Sequence, residues 1–440
     1  MIEAGVKANP ITSFEFAELM RICEPFEPAA NVAIACSGGP DSMALLALTQ
    51  GWIKSVGGKL TALIVDHRLR DESTEEAKAV AQRVKELGVE AVILTWSGAR
   101  PLANLQEKAR KARYRLLFEW CVANSVLHLL AAHHKDDQAE TVLLRLDRSS
   151  GDDGLAGMAV LQEFGSLRLL RPLLSVAKSR LQATADARAL KTETDPSNDD
   201  LRFDRVKIRR RIERSNSSAF WYKVGAKASE RRAARDNVMA RHLAANCEIY
   251  PEGYSRIQSG FWRCASDEVA MRGLSAIVGA IGGRSHPLRR RKVRELYRKL
   301  RDDQLSGGAT SGGCYIVPEP NGSVLVMREI GLVRKCAAAR GRLKWDGRFD
   351  IDIHWENLDY KILTLGSFGL SSVLKDQSDI ELTHIPMRVL ETLPAVWGLE
   401  GVIEVPHLNY LRKVPDGNGK IVRNICFAPT RPIQATRFTI

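Results

Sequence analysis

The segment Ser37-Gly38-Gly39-Pro40-Asp41-Ser42 lies between an apolar run, residues 32–36, and a helix-like run, residues 43–48. A glycine turn between a strand and a helix aims successive backbone N–H groups and the positive helix end at one point, which suits a phosphate. Ser37 and Ser42 add hydroxyl hydrogen bonds there. Asp41 is the first candidate to hold a magnesium ion whose charge offsets the phosphates. The turn has neither the G-x-x-x-x-G-K-S/T spacing nor G-x-G-x-x-G.

Three further groups fall at or just after apolar runs. Asp66 and His67 follow the run 61–65; a carboxylate there can bind a ribose or an adenine amino group, and the alternative is a solvated helix-entry loop. Arg110 and Arg113 share one helix face, where a guanidinium pair can neutralise charge that develops on a phosphate. His133-His134-Lys135-Asp136-Asp137-Gln138-Ala139-Glu140 follows the run 126–132. Carboxylates in a first helical turn are stabilised by the dipole alone. These can also bind magnesium, recognise an ammonium group, or take a proton from an amine. The glycine-rich stretch 148–158 reads as a flexible loop beside them.

Apolar runs at 32–36, 61–65, 91–95 and 126–132 alternate with helical patterns. One helix begins at Ser73, with Glu76 placed to complete a capping box and Ala77, Val80, Ala81, Val84 and Leu87 as its stripe. Another spans about Leu102 to Asn124. Near-continuous apolar strands separated by helices specify an α/β fold, a parallel sheet flanked by helices, with ligands beyond the C-terminal strand ends. The expected organisation is a catalytic domain over 1–215, a helical domain over 216–305 and a β-rich region over 306–440. In the last, Asn321-Gly322 signals a hairpin, and Phe349, Ile351, Ile353 and Trp355 alternate as in a half-buried strand.

The 440 residues carry a formal charge of +13, and 45% are hydrophobic. No apolar run approaches the roughly 18 residues of a membrane span, and Met1–Pro10 has no apolar signal core. The eight cysteines form no Cys-x-x-Cys pair, which favours a reducing cytoplasm. Six of the ten residues Arg205–Arg214 are Lys or Arg, and nine more lie in Arg284–Arg301. Each cluster reads either as a solvated helix face or as a surface for a long anion such as RNA.

The first turn resembles the SGGxDS loop of the N-type ATP pyrophosphatases. In order, Ser37–Ser42, Val65-Asp66-His67, Asn104-Leu-Gln with Ala109-Arg110-x-x-Arg113-Tyr114, His133–Thr141, Ser150-Gly151-x-x-Gly154-Leu-x-Gly157-Met158, Arg171-Pro172-Leu173 and Asp195-x-Ser197-Asn198 with Arg205 resemble the tRNA(Ile)-lysidine synthase family. The resemblance covers about 30–212. Arg68 stands where the family often has glycine, and Ser149 where Arg-Gly-Ser-Gly is usual. It implies an adenine nucleotide alpha hydrolase-like fold and a reaction in which the wobble cytidine of a CAU anticodon in tRNA(Ile) is adenylated by ATP with Mg2+, then attacked by free lysine. It also implies roles. Ser37, Gly38, Gly39, Pro40, Asp41, Ser42, Asp66, His67 and His133 would bind ATP, with Asp41 on magnesium. Arg110 and Arg113 would face the departing pyrophosphate, and Asp137 and Glu140 the lysine. Asp136 or Asp137 would take its proton. The two basic clusters, rather than the resemblance, offer Arg205, Arg209, Arg210, Arg289, Arg290 and Arg291 as the candidates for tRNA phosphate contacts.

Three rivals predict different outcomes. A tRNA cytidine thiolase of the same superfamily usually needs Cys-x-x-Cys pairs. A metal-dependent phosphoesterase built on Asp66-His67 and His133–Asp137 leaves Ser37–Ser42 without a task. A non-catalytic RNA-binding module leaves the acids at the strand ends unexplained. Oligomeric state is not readable from the sequence.

Overall fold

The computed structural model describes residues 8–68, 72–97, 105–148, 150–164, 167–193, 204–262, 266–305, 307–333, 336–354, 359–377, 385–412, 419–433 and 437–438. Leu69, Arg70, Leu102, Asn104, Ser149, Asp195–Asn198 and Trp355 therefore lie outside the described residues, as do the side chains of Leu105 and Gln106. Contacts divide the chain into two compact units, Met1–Ala234 with Thr436–Ile440, and Arg235–Ala435.

The first unit runs α1 (Ser13–Arg21), β1 (Asn31–Ala35), α2 (Pro40–Ser55), β2 (Lys59–Asp66), α3 (Ser73–Glu86), β3 (Glu90–Thr95), α4 (Leu105–Ala123), β4 (His128–Leu130), α5 (Lys135–Asp147), α6 (Asp152–Leu155), β5 (Leu161–Phe164), β6 (Leu167–Leu170), α7 (Lys178–Ala187), α8 (Asp204–Arg214) and the start of α9 (Ser218–Asn246). Its sheet has the order Arg437–Phe438, β5, β6, β4, β1, β2, β3. β6, β4, β1, β2 and β3 are parallel, and β5 pairs with β6 antiparallel. Val32, Ala33 and Ile34 of β1 are fully buried, as expected of a strand covered on both faces. Burying an aliphatic side chain of this size contributes about 1.5–3 kcal/mol.

The chain leaves β1 toward β2 and β3 on one side and returns through α4 to β4 on the other. The order therefore reverses between β1 and β4, and the crevice beyond their carboxyl ends is the ligand position of such a sheet. The turn 37–42 and the segment 133–137 are the two segments that leave those ends.

Local details depart from the sequence reading. β4 is shorter than the apolar run 126–132, although Val126 and Ala131 flanking it are also buried. Helix α3 starts at Ser73 and buries Ala77, Val80, Ala81 and Val84, but it has no capping box. The Ser73 hydroxyl donates instead to Asp66 Oδ1 at 2.9 Å. The glycine-rich stretch is pinned rather than loose. Gln138 exchanges two hydrogen bonds with Met158 at 2.7 and 2.8 Å, and Arg145 Nη1 donates to Gly154 O and Gly157 O.

In the second unit, β7 (Cys247–Tyr250), β8 (Tyr254–Ile257), β9 (Ala309–Ser311), β10 (Cys314–Pro318) and β11 (Val324–Arg328) form a sheet in the order β7-β8-β11-β10-β9. β7 and β8 fall in the stretch expected to be helical, so the boundary expected at 305/306 cuts through one sheet. The hairpin β10–β11 has the longer loop 319–323, with only Gly322 at positive φ and Asn321 Oδ1 accepting from Ser323 N at 3.0 Å. Helices α10 (Asp267–Ile281) and α11 (Arg290–Arg301) cover this sheet's core; α11 buries Val293, Leu296, Tyr297 and Leu300. Phe349, Ile351 and Ile353 are buried on one strand of a separate three-stranded sheet. Among the described residues, no helix is long and apolar enough to cross a membrane.

Candidate active site

The turn after β1 is built as the sequence requires. Gly38 has φ +81, and a Cβ there would fall well inside van der Waals contact of Val80 Cγ2 on α3. Gly39 is the N-cap of α2, has no side-chain cap, and Pro40 occupies the first turn. The first-turn amides are thus available to an anion. Ser42 ties the bend together. Its Oγ donates to Gly39 O at 2.9 Å and accepts from Ser37 N at 3.2 Å. Ser37 Oγ donates to it at 3.3 Å.

Across the crevice, His134 caps α5. Its Nδ1 accepts from Asp137 N, and Asp137 Oδ2 accepts from His134 N at 3.1 Å. The structural role foreseen for acids in this turn is therefore realised by Asp137, whose Oδ1 remains available. His134 Nε2 lies 3.6 Å from Asp41 Oδ2 and 3.5 Å from Asp137 Oδ2. Burial would lower the His134 pKa, but Asp41, Asp137 and Asp136 together raise it. The cap needs Nδ1 as acceptor, so the network assigns the proton to Nε2.

Asp136 is not the free base the sequence suggested. Its Oδ1 accepts from Ser218 Oγ at 2.5 Å and its Oδ2 from Lys178 N at 2.9 Å. Burial alone would raise its pKa, yet these two hydrogen bonds hold it below the ordinary carboxylate range. It joins the first turns of α5, α7 and α9. Asp66 is likewise committed to its own loop. It is buried and accepts from Arg68 N at 2.9 Å, Ser73 Oγ at 2.9 Å and Thr74 Oγ1 at 2.8 Å. These bonds give the carboxylate a positioning role for the turn that carries His67.

Glu140 has a side chain 3% exposed, with Arg209 Nε at 2.6 Å and Arg205 Nε at 3.4 Å. Arg205 and Arg209, expected on tRNA, thus turn to this carboxylate from α8. Glu140, expected on lysine, already faces two guanidiniums. Arg210 is exposed on the same helix, and Arg289, Arg290 and Arg291 are exposed at the start of α11.

Among the site residues, five buried polar atoms lack a hydrogen-bond partner within the described residues: Asp41 Oδ1, His67 Nδ1, His133 Nδ1, Glu140 Oε2 and Arg171 Nε. Each such atom costs about 1–3 kcal/mol unless something satisfies it. Burial, followed by the charge of Arg113, depresses His67 to a pKa of about 4. Burial and the charges of Arg171, Arg110 and Arg205, with His134, hold His133 well below the usual histidine range. Both imidazoles are neutral at pH 7. Arg171 is buried at the end of β6, and its Nη1 donates to Ala159 O at 2.8 Å. Its motif was visible in the sequence, but its part in this cluster was not. A lone arginine after an apolar run gives no such signal. Arg110 is exposed and packs over Tyr114, with its guanidinium carbon 5.2 Å from the ring centroid.

The donor set fits magnesium in one way. Asp41 presents an oxygen without a partner. Among the described residues no group of three or more His, Cys, Asp or Glu is arranged to hold a metal ion. Magnesium would then rest on one or two carboxylates with phosphate oxygens and water, its usual pattern beside a nucleotide.

Comparison with known proteins decides the family. A model of the PP-loop domain matches residues 12–215. The tRNA(Ile)-lysidine synthase of Ruegeria pomeroyi is 34% identical over 400 residues, 86% of this chain and 89% of that one. The chain belongs to the tRNA(Ile)-lysidine synthase family. The family member of Wolbachia pipientis wMel is also 34% identical, over 86% of this chain and 89% of its own. A Bradyrhizobium member reaches 45% over 195 residues, 44% of this chain and 54% of that one. Within the tRNA(Ile)-lysidine synthase family, the present chain thus combines a PP-loop bend with an acid cluster at a single switch point.

Proposed function

We propose that this chain is an ATP-dependent ligase that converts the wobble cytidine of the CAU anticodon of tRNA(Ile) to lysidine, acting in the cytoplasm where ATP, lysine and tRNA meet. One observation carries the reading. The glycine bend of 37–42 and the His133–Asp137 segment leave adjacent parallel strands at the point where strand order reverses; unsatisfied polar atoms of Asp41 and His133 follow those two strands, and that of His67 follows the neighbouring β2.

In this mechanism the amides of the bend and the Ser37 and Ser42 hydroxyls hold the ATP phosphates. Asp41 would hold magnesium, which when bound supplies positive charge to the phosphate oxygens. The cytosine O2 attacks the α-phosphorus, the bond to the β-phosphate oxygen breaks, and pyrophosphate leaves toward Arg110, Arg113 and Arg171. A neutral His133 and His67 can pair with uncharged polar edges of the nucleotide without adding charge. The lysine amine then attacks C2, the C2–O2 bond breaks, and AMP leaves with the oxygen. Asp137 Oδ1 takes the amine proton. Asp136 and Asp66 position these groups from their saturated hydrogen-bond sets. Glu140 fixes Arg205 and Arg209, which leaves the lysine head group to Asp137, one helical turn away on the same face of α5. The second unit contributes tRNA contacts through Arg289, Arg290 and Arg291.

Incubation with ATP, labelled lysine and tRNA(Ile), omitting each in turn, tests the proposal. Label should enter the tRNA only when all three are present. Sulfur incorporation with a sulfur donor, or ATP turnover indifferent to tRNA, would count for a different enzyme.

A further inference from the structure

Helix α9 opens with three aromatic residues, Phe220, Trp221 and Tyr222, of which none has a task in the chemistry above. Trp221 packs on the cluster of Ala139, Leu143, Ile208 and Ile212, which fixes the first turns of the helix against α5 and α8. Ser218 Oγ donates to Asp136 Oδ1 at 2.5 Å, so the same turn is tied to the acidic segment of the site. Lys135 Nζ sits 5.0 Å from the Tyr222 ring centroid, a second tie. Phe220 is the exception. It is 59% exposed, yet its ring is held edge-on to Trp221 at 5.0 Å and 81°.

A single exposed phenylalanine needs no explanation. Here the ring is anchored beside a site that must receive an unpaired base, and its helix face carries more. Lys223 and Lys227 follow Phe220 by three and seven residues, so the three line one side of the helix. Both lysines are exposed, and neither forms an ion pair with a described residue. An oriented ring followed by unpaired cations is the arrangement that binds single-stranded nucleic acid: bases stack on the aromatic face, and the backbone tracks the positive charge.

We propose that Phe220 is the stacking platform for the adenine immediately 3′ of the target cytidine, with Lys223 and Lys227 holding the phosphates that follow. Stacking the neighbour helps keep the target base splayed out of its own stack and directed toward the crevice. The inference rests on the proposed function, and its test separates the two.

The full-length enzyme is assayed with ATP, lysine and a tRNA(Ile) transcript carrying 2-aminopurine in place of that adenine. Binding of the wild-type enzyme should quench the probe. Phe220→Ala should abolish the quench and raise the KM for tRNA roughly fivefold to a hundredfold, the value of one base–aromatic stack of about 1–3 kcal/mol at 1.4 kcal/mol per decade. The KM for ATP should stay within about twofold, since Phe220 makes no contact with the glycine bend, and thermal stability should be unchanged. Phe220→Trp should keep the quench, and Phe220→Leu, apolar but without a π face, should behave as the alanine variant. Wild-type quench and tRNA KM in either the alanine or the leucine variant overturn the inference. A change in sedimentation of Phe220→Ala with tRNA KM unaltered overturns it in favour of a protein-docking face. If the wild-type enzyme itself consumes no ATP with tRNA, the proposed function fails first.

Discussion

Gly38→Ala probes the nucleotide bend where the structure gives the sharpest expectation. The substitution meets two separate penalties. At φ +81 an alanine occupies the left-handed region, which costs about 1–2 kcal/mol. The new methyl also collides with Val80 Cγ2, and overpacking of this kind costs about 1–3 kcal/mol. The sum is about 2–5 kcal/mol. Truncating Val80 to alanine separates the two, because with both γ-methyls gone the nearest Val80 atom is Cβ, at an ordinary 3.5 Å. Val80→Ala alone loses two buried methyl groups, about 1.6 kcal/mol at 0.8 per carbon. The double variant should therefore be more stable than the sum of the single costs by the collision energy, about 1–3 kcal/mol. Urea denaturation of the full chain, read on the transition that ATP raises, gives the three differences. The KM for ATP should rise in Gly38→Ala and recover in part in the double variant. Additivity within about 0.5 kcal/mol, or a Gly38→Ala cost below about 1 kcal/mol, would refute the collision and the bend geometry behind it.

Further outcomes are expected. Asp41→Ala should lower tRNA-dependent AMP release by more than about a hundredfold and raise the magnesium concentration needed for half-maximal rate, since electrostatic stabilisation of this kind is worth several kcal/mol; near-normal turnover at low magnesium would remove Asp41 from the site. His67 should make stability pH-dependent. Its folded pKa of about 4 lies below the ordinary 6.5, so the unfolded chain binds a proton that the folded chain does not, and stability falls as pH drops from 6.5 toward 4. At 1.36 kcal/mol per unit the span is at most about 3 kcal/mol, and urea titrations of His67→Gln should show a correspondingly flatter profile. Charge reversal at Arg289, Arg290 and Arg291 should raise the KM for tRNA, reduce its salt dependence and leave the KM for ATP alone; equal effects on both would point away from an RNA surface.

The catalytic sheet was legible because its strands are short, apolar and spaced by amphipathic helices, so that the runs 32–36, 61–65 and 91–95 announce β1, β2 and β3 to within a residue or two at each end. The juxtaposition of Ser37–Ser42 with His133–Asp137 also follows, since ligand position in a parallel sheet is a rule of topology. What did not follow was the use each side chain makes of its neighbours. Ser73 looked like a helix cap, but Asp66, seven residues earlier, takes its hydroxyl. Asp136 looked like a free base, but Ser218, far along the chain, saturates one of its oxygens. Glu140 and the arginines of α8 looked like parts of two different surfaces, and folding makes them one ion-paired group. Strands β7 and β8 were hidden because four-residue strands between helical stretches leave no usable period. Their pairing with β11 is a long-range event.

The cleavage position of ATP tests the central claim most directly. With α-labelled ATP, tRNA(Ile) and lysine, the expected products are labelled AMP and pyrophosphate, formed in equal amounts to the lysine that enters the tRNA. Release of ADP and phosphate, or AMP formed without lysine entering the tRNA, would contradict it.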